Sequence, residues 1–275
     1  MHILILSKVK KNKLIRESVQ ITKNSQIALD IWRMEVHAPG ISSFYKGAGQ
    51  FIQIQLSNGW ENSLSRPMSI AKCEEEYISI IYKIFGLGTS ILSNKKTGEK
   101  INILGPLGNI FSINNNNSHI LVGGGVGLAP VLNLWNHFTD QTNKNYLIIG
   151  ARTGDEHIHQ HNPEKHIYIT TDDGSMGIKG TVMKALKEIS KNIQKPVIIA
   201  CGPEPMLKAI QSYVKINEIP TQLSVESYMG CGIGICQGCV ILRQNTTKKD
   251  HSYHEKYSLV CLDGPVYKSE AISFG

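Results

Sequence analysis

The rhythm of apolar and polar positions changes twice along the chain. Up to about residue 112 the two kinds alternate. Trp32, Met34 and Val36 interleave with Arg33, Glu35 and His37, and Ile52, Ile54 and Leu56 with Gln53 and Gln55. A period of two predicts strands with one buried and one solvated face. The runs YISIIYKIF (77–85) and KINIL (100–104) are rich in β-branched and aromatic residues, which suit a pleated surface. Turn residues punctuate between the runs, at Pro39-Gly40, Gly47, Gly49 and Gly105-Pro106. Short strands separated in this way predict a small antiparallel β-barrel.

From residue 118 short continuous apolar runs replace the alternation: HILVG (119–123), NYLIIG (145–150), HIYITT (166–171), PVIIAC (196–201) and TQLSVE (221–226). Helix-like stretches at 129–139, 181–191 and 204–216 separate several of them. Buried strands alternating with helices predict a five-stranded parallel sheet covered on both faces, an α/β domain. Beyond 223 glycine and cysteine crowd together, polar loops follow, and a last cysteine stands at 261. The expected organisation is a barrel over 1–113, an α/β domain over 118–222 and a small domain over 223–275. Asn114–Asn117 reads as an exposed linker between the first two.

Composition adds exclusions. With 41% hydrophobic and 19% charged residues over 275 positions, the chain looks like an ordinary globular protein. The net charge of +7 is spread over scattered lysines such as Lys8, Lys10, Lys95, Lys96, Lys248 and Lys249. It forms no basic helix or stripe interleaved with aromatics, so no nucleic-acid partner is expected. No apolar run reaches the roughly 18 residues of a membrane span. The opening MHILILSKVKKNK puts apolar residues before charge, the reverse of a secretory signal. A cytoplasmic location is expected.

The chemistry lies in the cysteines and glycines. Cys231, Cys236 and Cys239 are spaced C-x4-C-x2-C, and Cys261 follows after 21 residues. This is plant-type [2Fe–2S] spacing. A structural zinc would more often show two C-x2-C knuckles, and disulfides suit neither the crowding nor a reducing compartment. Gly230, Gly232, Gly234 and Gly238 leave the loop free to turn N–H groups toward sulfur. Cys73 stands outside the pattern and reads as a packing residue.

LVGGGVGLAP (121–130) ends a predicted strand and opens a predicted helix, where Gly123, Gly124, Gly125, Val126 and Gly127 would let backbone approach a pyrophosphate. Neither a GxGxxG fingerprint nor a Walker loop is present. CGPEPM (201–206) and TDDGS (171–175) end two more strands at the same edge, where open parallel sheets bind ligands. Together the three turns point to a dinucleotide. In the barrel, Arg66 and Ser69 of SRPMSI supply a cation and a hydroxyl beside an apolar strand, with a local twist expected between them. GLGTS (86–90) reads as a small turn with free N–H groups.

The order RPMS, GLGT, LGPLG, GGGVGLAP, CGPEPM resembles the ferredoxin–NADP reductase superfamily. The appended ESYMGCGIGICQGCVI…VCLDGPV resembles the electron-transfer subunits of bacterial dihydroorotate dehydrogenase B, and the likeness runs from about residue 16 to 272. It implies an FAD-binding barrel in which Arg66, Pro67, Met68 and Ser69 form the flavin motif, Ser69 near the isoalloxazine and Arg66 at the pyrophosphate. Met68 stands where isoleucine is common. Ile81, Tyr82 and Lys83 would line the FAD, and Gly88 and Thr89 would contact phosphate. Gly123 to Gly127 with Cys201, Gly202 and Pro203 would serve the nicotinamide side, and the four cysteines the cluster. The implied partner is an FMN-containing catalytic subunit, in a heterotetramer with two copies of each chain. Electrons would pass from that FMN through the cluster and FAD to NAD⁺, in pyrimidine biosynthesis. NAD is favoured over NADP: Asp155 and Glu156 would repel a 2′-phosphate, though Arg152 would attract one. No acid–base triad is evident. The alternatives are a reductase subunit for a sulfide dehydrogenase or an oxygenase, and a non-enzymatic metal-bearing module. Cys231, where subunits of the sulfide dehydrogenase kind often carry aspartate, favours the dihydroorotate assignment.

Overall fold

The computed structural model of the chain describes residues 14–56, 64–138, 145–244 and 253–275. The basic run near the start, Lys248, Lys249 and the centre of the polar loop at 240–255 lie outside the described residues.

Strands β1 (Ile15–Ala28), β2 (Ile31–His37), β3 (Phe51–Gln55), β4 (Arg66–Glu74), β5 (Tyr77–Lys83) and β6 (Lys100–Leu107) close into a barrel in the order β1-β2-β5-β4-β3-β6. The alternating apolar positions fill it: Val19, Ile21, Met34, Val36, Ile52, Ile54, Ile78, Ile80, Ile101 and Ile103 form one core. A short helix α1 (Pro39–Ser42) follows β2, and α2 (Leu87–Ser93) lies between β5 and β6.

The second unit is a sheet of β7 (Ser118–Gly124), β8 (Asn145–Ala151), β9 (Ile167–Thr171), β10 (Ile178–Lys179), β11 (Pro196–Cys201) and β12 (Thr221–Ser224). The third holds β13 (Val240–Arg243), β14 (Tyr257–Leu259), β15 (Val266–Lys268) and β16 (Ile272–Ser273). All five predicted parallel strands form, but the sheet has seven, in the order β10-β9-β8-β7-β11-β12-β15. The two-residue β10 extends it in parallel, and β15 closes the other edge antiparallel to β12. Runs this short carry no periodic signal, and pairing partners are chosen in space.

Helices α3 (Leu128–Phe138), α4 (Val182–Ser190) and α5 (Glu204–Ile216) cover the sheet. Leu121, Leu147, Ile149, Ile169 and Ile199 pack with α3, while Ile120, Val122, Ile148, Ile198 and Leu223 pack with α4 and α5. Helix α3 is also the wall shared with the barrel. Ile31, Ala71, Ile81 and Phe111 enter its core, and Asn133 Nδ2 donates to Tyr45 Oη and to the Ile70 carbonyl, both at 2.7 Å.

The small third unit, with sheet order β14-β13-β16, sits on the outer face of β3. Phe51 and Leu107 of the barrel are buried with Val225, Cys239, Ile241, Leu259, Val260, Cys261 and Ile272. Burying one Phe side chain contributes roughly 1.5–3 kcal/mol. Asn109 fixes the edge: its N–H donates to the Gly264 carbonyl at 2.7 Å. Its Nδ2 donates to the Asp263 and Val266 carbonyls, and its Oδ1 accepts from Val266 N.

Candidate redox centre

The cysteine loop folds as two pairs. Cys231 Sγ accepts from the N–H groups of Ile233 at 3.4 Å and Cys236 at 3.3 Å. The N–H groups of Gly238, Cys231 and Gly230, with the Cys231 thiol, hold the Cys236 thiol down to about 7. Cys239 and Cys261 form the second pair. A hydrogen bond from Cys261 draws Cys239 down to about 6, while that bond and burial push Cys261 up. The loop needs its glycines: Gly234 has φ +80°, and a β-carbon there would lie 2.2 Å from Leu262 Cδ1. Among the described residues no three His, Cys, Asp or Glu side chains converge as a single ion would require. Two thiol pairs, each fed by N–H groups, fit a four-cysteine [2Fe–2S] site in which two irons share the ligands.

The flavin motif opens β4. Ser69 is paired with Phe51 and Pro67 with Gln53 across β3, in unbroken register with Met68 opposite Ile52 and Arg66 opposite Ile54. The expected twist between Arg66 and Ser69 is replaced by an irregularity further on, between Ile70 and Lys72. GLGTS is the start of α2 rather than a free turn. Thr89 Oγ1 accepts from the N–H groups of Phe85 and Gly86, so those donors are already used. Gly88 lies under the Arg66 guanidinium, where a β-carbon would come 2.7 Å from Nε.

The strand expected to line the FAD departs from expectation. Tyr82 points into the barrel core, its hydroxyl donating to Asn24 Oδ1 at 2.9 Å. Ile81 is buried against α3. Lys83 Nζ lies 2.9 Å from Glu156 Oε2. Side chains on a strand alternate between faces, and here both faces are occupied by protein. Glu156, expected to repel a 2′-phosphate, is 8% exposed and held by Lys83 and by Arg152 at 3.0 Å. It ties the α/β unit to the barrel, and Arg152 is drawn to it.

Two of the three nucleotide turns meet at one place, while TDDGS (171–175) follows β9, on the far side of β8. Strand β7 continues to β8 on one side and neighbours β11 on the other, with Gly123 opposite Cys201. This is the switch point at which open α/β sheets bind ligands. Gly124 and Gly127 press on the second turn: a β-carbon on Gly127 would lie 2.3 Å from the Cys201 carbonyl carbon. The turn at Gly125–Gly127 leads into α3, whose first turn holds no acid. Cys201 is fully buried, and burial, with Glu226 nearby, pushes its thiol far up; it is no poised thiolate. Cys73, near the end of β4, is likewise pushed up to about 11 by burial.

The comparisons with known proteins follow this anatomy. Residues 121–212 match the oxidoreductase NAD-binding domain. Residues 226–273 match the iron–sulfur cluster binding domain of dihydroorotate dehydrogenase B. The electron transfer subunit of dihydroorotate dehydrogenase B (NAD(+)) from Fusobacterium nucleatum is 35% identical over 260 residues, 91% of this chain and 96% of that protein. The chain belongs to the family of dihydroorotate dehydrogenase B electron transfer subunits. The Bacillus pumilus subunit is also 35% identical, over 92% of this chain and 96% of its own. Among solved structures, an NADH-dependent reduced ferredoxin–NADP oxidoreductase studied for flavin-based electron bifurcation superposes with a TM-score of 0.80 at 28% identity, covering 94% of this chain and 90% of its own. A ferredoxin reductase of carbazole 1,9a-dioxygenase, at 17% identity and TM-score 0.63, shares the fold over 75% of this chain.

As a family member the chain is a redox enzyme subunit of the flavin-reductase fold, with FAD, a [2Fe–2S] cluster and NAD as cofactors. An electron transfer subunit works with a catalytic partner. No helix among the described residues is long and apolar enough to cross a membrane. Three residues that shape the centre escaped the sequence reading: Gln53, Asn109 and, as a bridge, Glu156. Gln53 reads in the alternation as a solvated position and Glu156 as a specificity residue, and Asn109 left no signal.

Proposed function

We propose that this chain passes electrons from the FMN of a dihydroorotate-oxidising partner through its cluster and FAD to NAD⁺. The observation that carries the reading is the outer face of β3. Phe51 is buried in the same apolar cluster as Cys239 and Cys261, and its cross-strand partner is Ser69 of the flavin motif. The cysteine loop and the flavin strand thus share one wall.

When bound, the cluster would supply one-electron transfer and FAD the exchange between one-electron and two-electron chemistry that hydride transfer to NAD⁺ requires. The protein residues position and insulate. Cys231 with Cys236, and Cys239 with Cys261, hold the cluster, with the N–H groups of Gly230, Ile233 and Gly238 aimed at sulfur. Arg66, beside Gly88, would hold the FAD pyrophosphate, Ser69 would serve the isoalloxazine, and Pro67 and Met68 would shape the strand between. Residues 81–83 serve the flavin through their backbone, since the side chains of Tyr82 and Lys83 are committed elsewhere. Thr89 shapes the loop before α2. Gly123 to Gly127 and Cys201 to Pro203 receive the nicotinamide dinucleotide at the sheet edge. The partner holds FMN in an assembly with two copies of each chain, in the cytoplasm, where thiols stay reduced.

The test is an optical spectrum of the purified chain before and after NADH, with Cys236→Ser beside it. The native chain should show flavin bands and broad cluster absorbance, both bleached by NADH. The variant should lose the broad absorbance and keep a bleachable flavin. A colourless native chain, after reconstitution with iron, sulfide and FAD, would sink the reading.

A further inference from the structure

Gln53 is the third residue of β3, 2% exposed. Neither its Nε2 nor its Oε1 has a hydrogen-bond partner, and both atoms are closed off from solvent. Buried amides are nearly always bonded; one with every donor and acceptor free marks a group still to arrive. The surroundings indicate which. Across the strands stand Pro67 of β4 and Leu104 of β6. The proline has no N–H and leucine no polar side-chain atom. Over the amide lies Gly232, between Cys231 and Cys236. Its φ is +70°, and a β-carbon there would sit 2.8 Å from Gln53 Nε2 and 2.7 Å from Cγ. Two positions back on the same face, Phe51 is buried in one apolar cluster with Cys239 and Cys261. The carboxamide therefore lies under the cysteine loop, closer to its backbone than any larger residue at 232 would permit. The amide is closed off from solvent and lies beside the loop that carries the cluster cysteines.

We propose that the Gln53 carboxamide donates a hydrogen bond to sulfur of the cluster, either a bridging sulfide or Cys231 Sγ, and thereby raises the cluster's reduction potential. A donor to sulfur stabilises the reduced form, which carries one more negative charge. The position also gives the residue a reason to be polar on a strand face that the third unit covers. Gln53 is a positioning and tuning residue, and it stands on the wall between cluster and flavin strand. The inference rests on the cluster reading above.

The experiment is an EPR-monitored redox titration of the cluster, with an optical titration of FAD, in native protein, Gln53→Met and Gln53→Glu. Iron and flavin content are measured in each. Methionine matches the volume without a donor; glutamate keeps the shape and exchanges donors for charge. The cluster potential should fall in the Met variant and fall further in the Glu variant, while the FAD potential stays in place. An unchanged cluster potential in a fully loaded Met variant overturns the proposal. So does a shift confined to FAD, which would assign the amide to the flavin. Loss of the cluster from both variants, with FAD and fold retained, would make Gln53 a packing residue and also overturn it. A native protein without a cluster would instead refute the function reading, so the two failures are told apart.

Discussion

Lys83→Met tests whether the barrel and the α/β unit are locked by a buried ion pair. Lys83 and Glu156 side chains are 17% and 8% exposed and meet at 2.9 Å. Arg152 reaches the other carboxylate oxygen, through Nη2 at 3.0 Å and Nε at 3.2 Å, and is itself 72% exposed. Stripping one partner from a buried pair costs about 3–5 kcal/mol in general. Here Arg152 stays bonded to the stranded carboxylate, so the expected loss is about 1–3 kcal/mol. Burial pushes the Glu156 carboxyl up, but the bonds from Lys83 and Arg152 outweigh it and hold the group below its ordinary value. A carboxyl depressed in the folded state contributes stability above its unfolded pKa, which is lost as pH falls through the folded one. The gap between native and variant should therefore be full near neutrality and close on acidification below about pH 4. Urea denaturation at several pH values reads it, with flavin content alongside. Adding Glu156→Leu to Lys83→Met should recover most of the loss, since an apolar pair leaves no buried charge. A loss under about 0.5 kcal/mol near neutrality, or a gap that widens in acid, would refute the lock. Loss of FAD without loss of stability would return Lys83 to the flavin.

Other outcomes follow from single contacts. Gly127→Ala places a β-carbon 2.3 Å from Cys201 backbone atoms that cannot move aside. It should cost about 1–3 kcal/mol in a denaturation curve and weaken NADH binding by roughly tenfold or more in a titration. Asn109→Ala removes three side-chain bonds between the barrel edge and residues 263–266. At about 1 kcal/mol each it should destabilise by about 2–3 kcal/mol, and hydrogen exchange at 264–268 should rise ahead of the rest of the chain. Burial raises the thiols of Cys73 and Cys201, so neither should react with an aromatic disulfide reagent near pH 8 in the folded, loaded protein; prompt labelling of Cys201 would overturn that account.

Much of this architecture is local and therefore readable in the chain. Period-two alternation defines the barrel strands because inward and outward side chains differ in environment, and continuous apolar runs define the parallel strands because both faces are covered. The cysteine spacing and the glycine turns are likewise short-range: they constrain a loop wherever it is placed. What the chain alone left undecided is which surface covers which. Gln53 follows the polar-out rule of its strand, yet the third unit docks on that face and buries it. Tyr82 and Lys83 lie on the strand expected to serve FAD, yet the barrel core takes one and Glu156 the other. The Glu156 carboxylate reads as a specificity residue in sequence and becomes a bridge in three dimensions. Strand β15 joins the nucleotide-binding sheet from the far end of the chain. Periodicity reports whether a face is buried, but the identity of the burying partner is set by long-range packing. For that reason sequence alone determined the barrel strands, the five parallel strands and the cofactor motifs, and only the tertiary structure decided which of the side chains around them remain free to act.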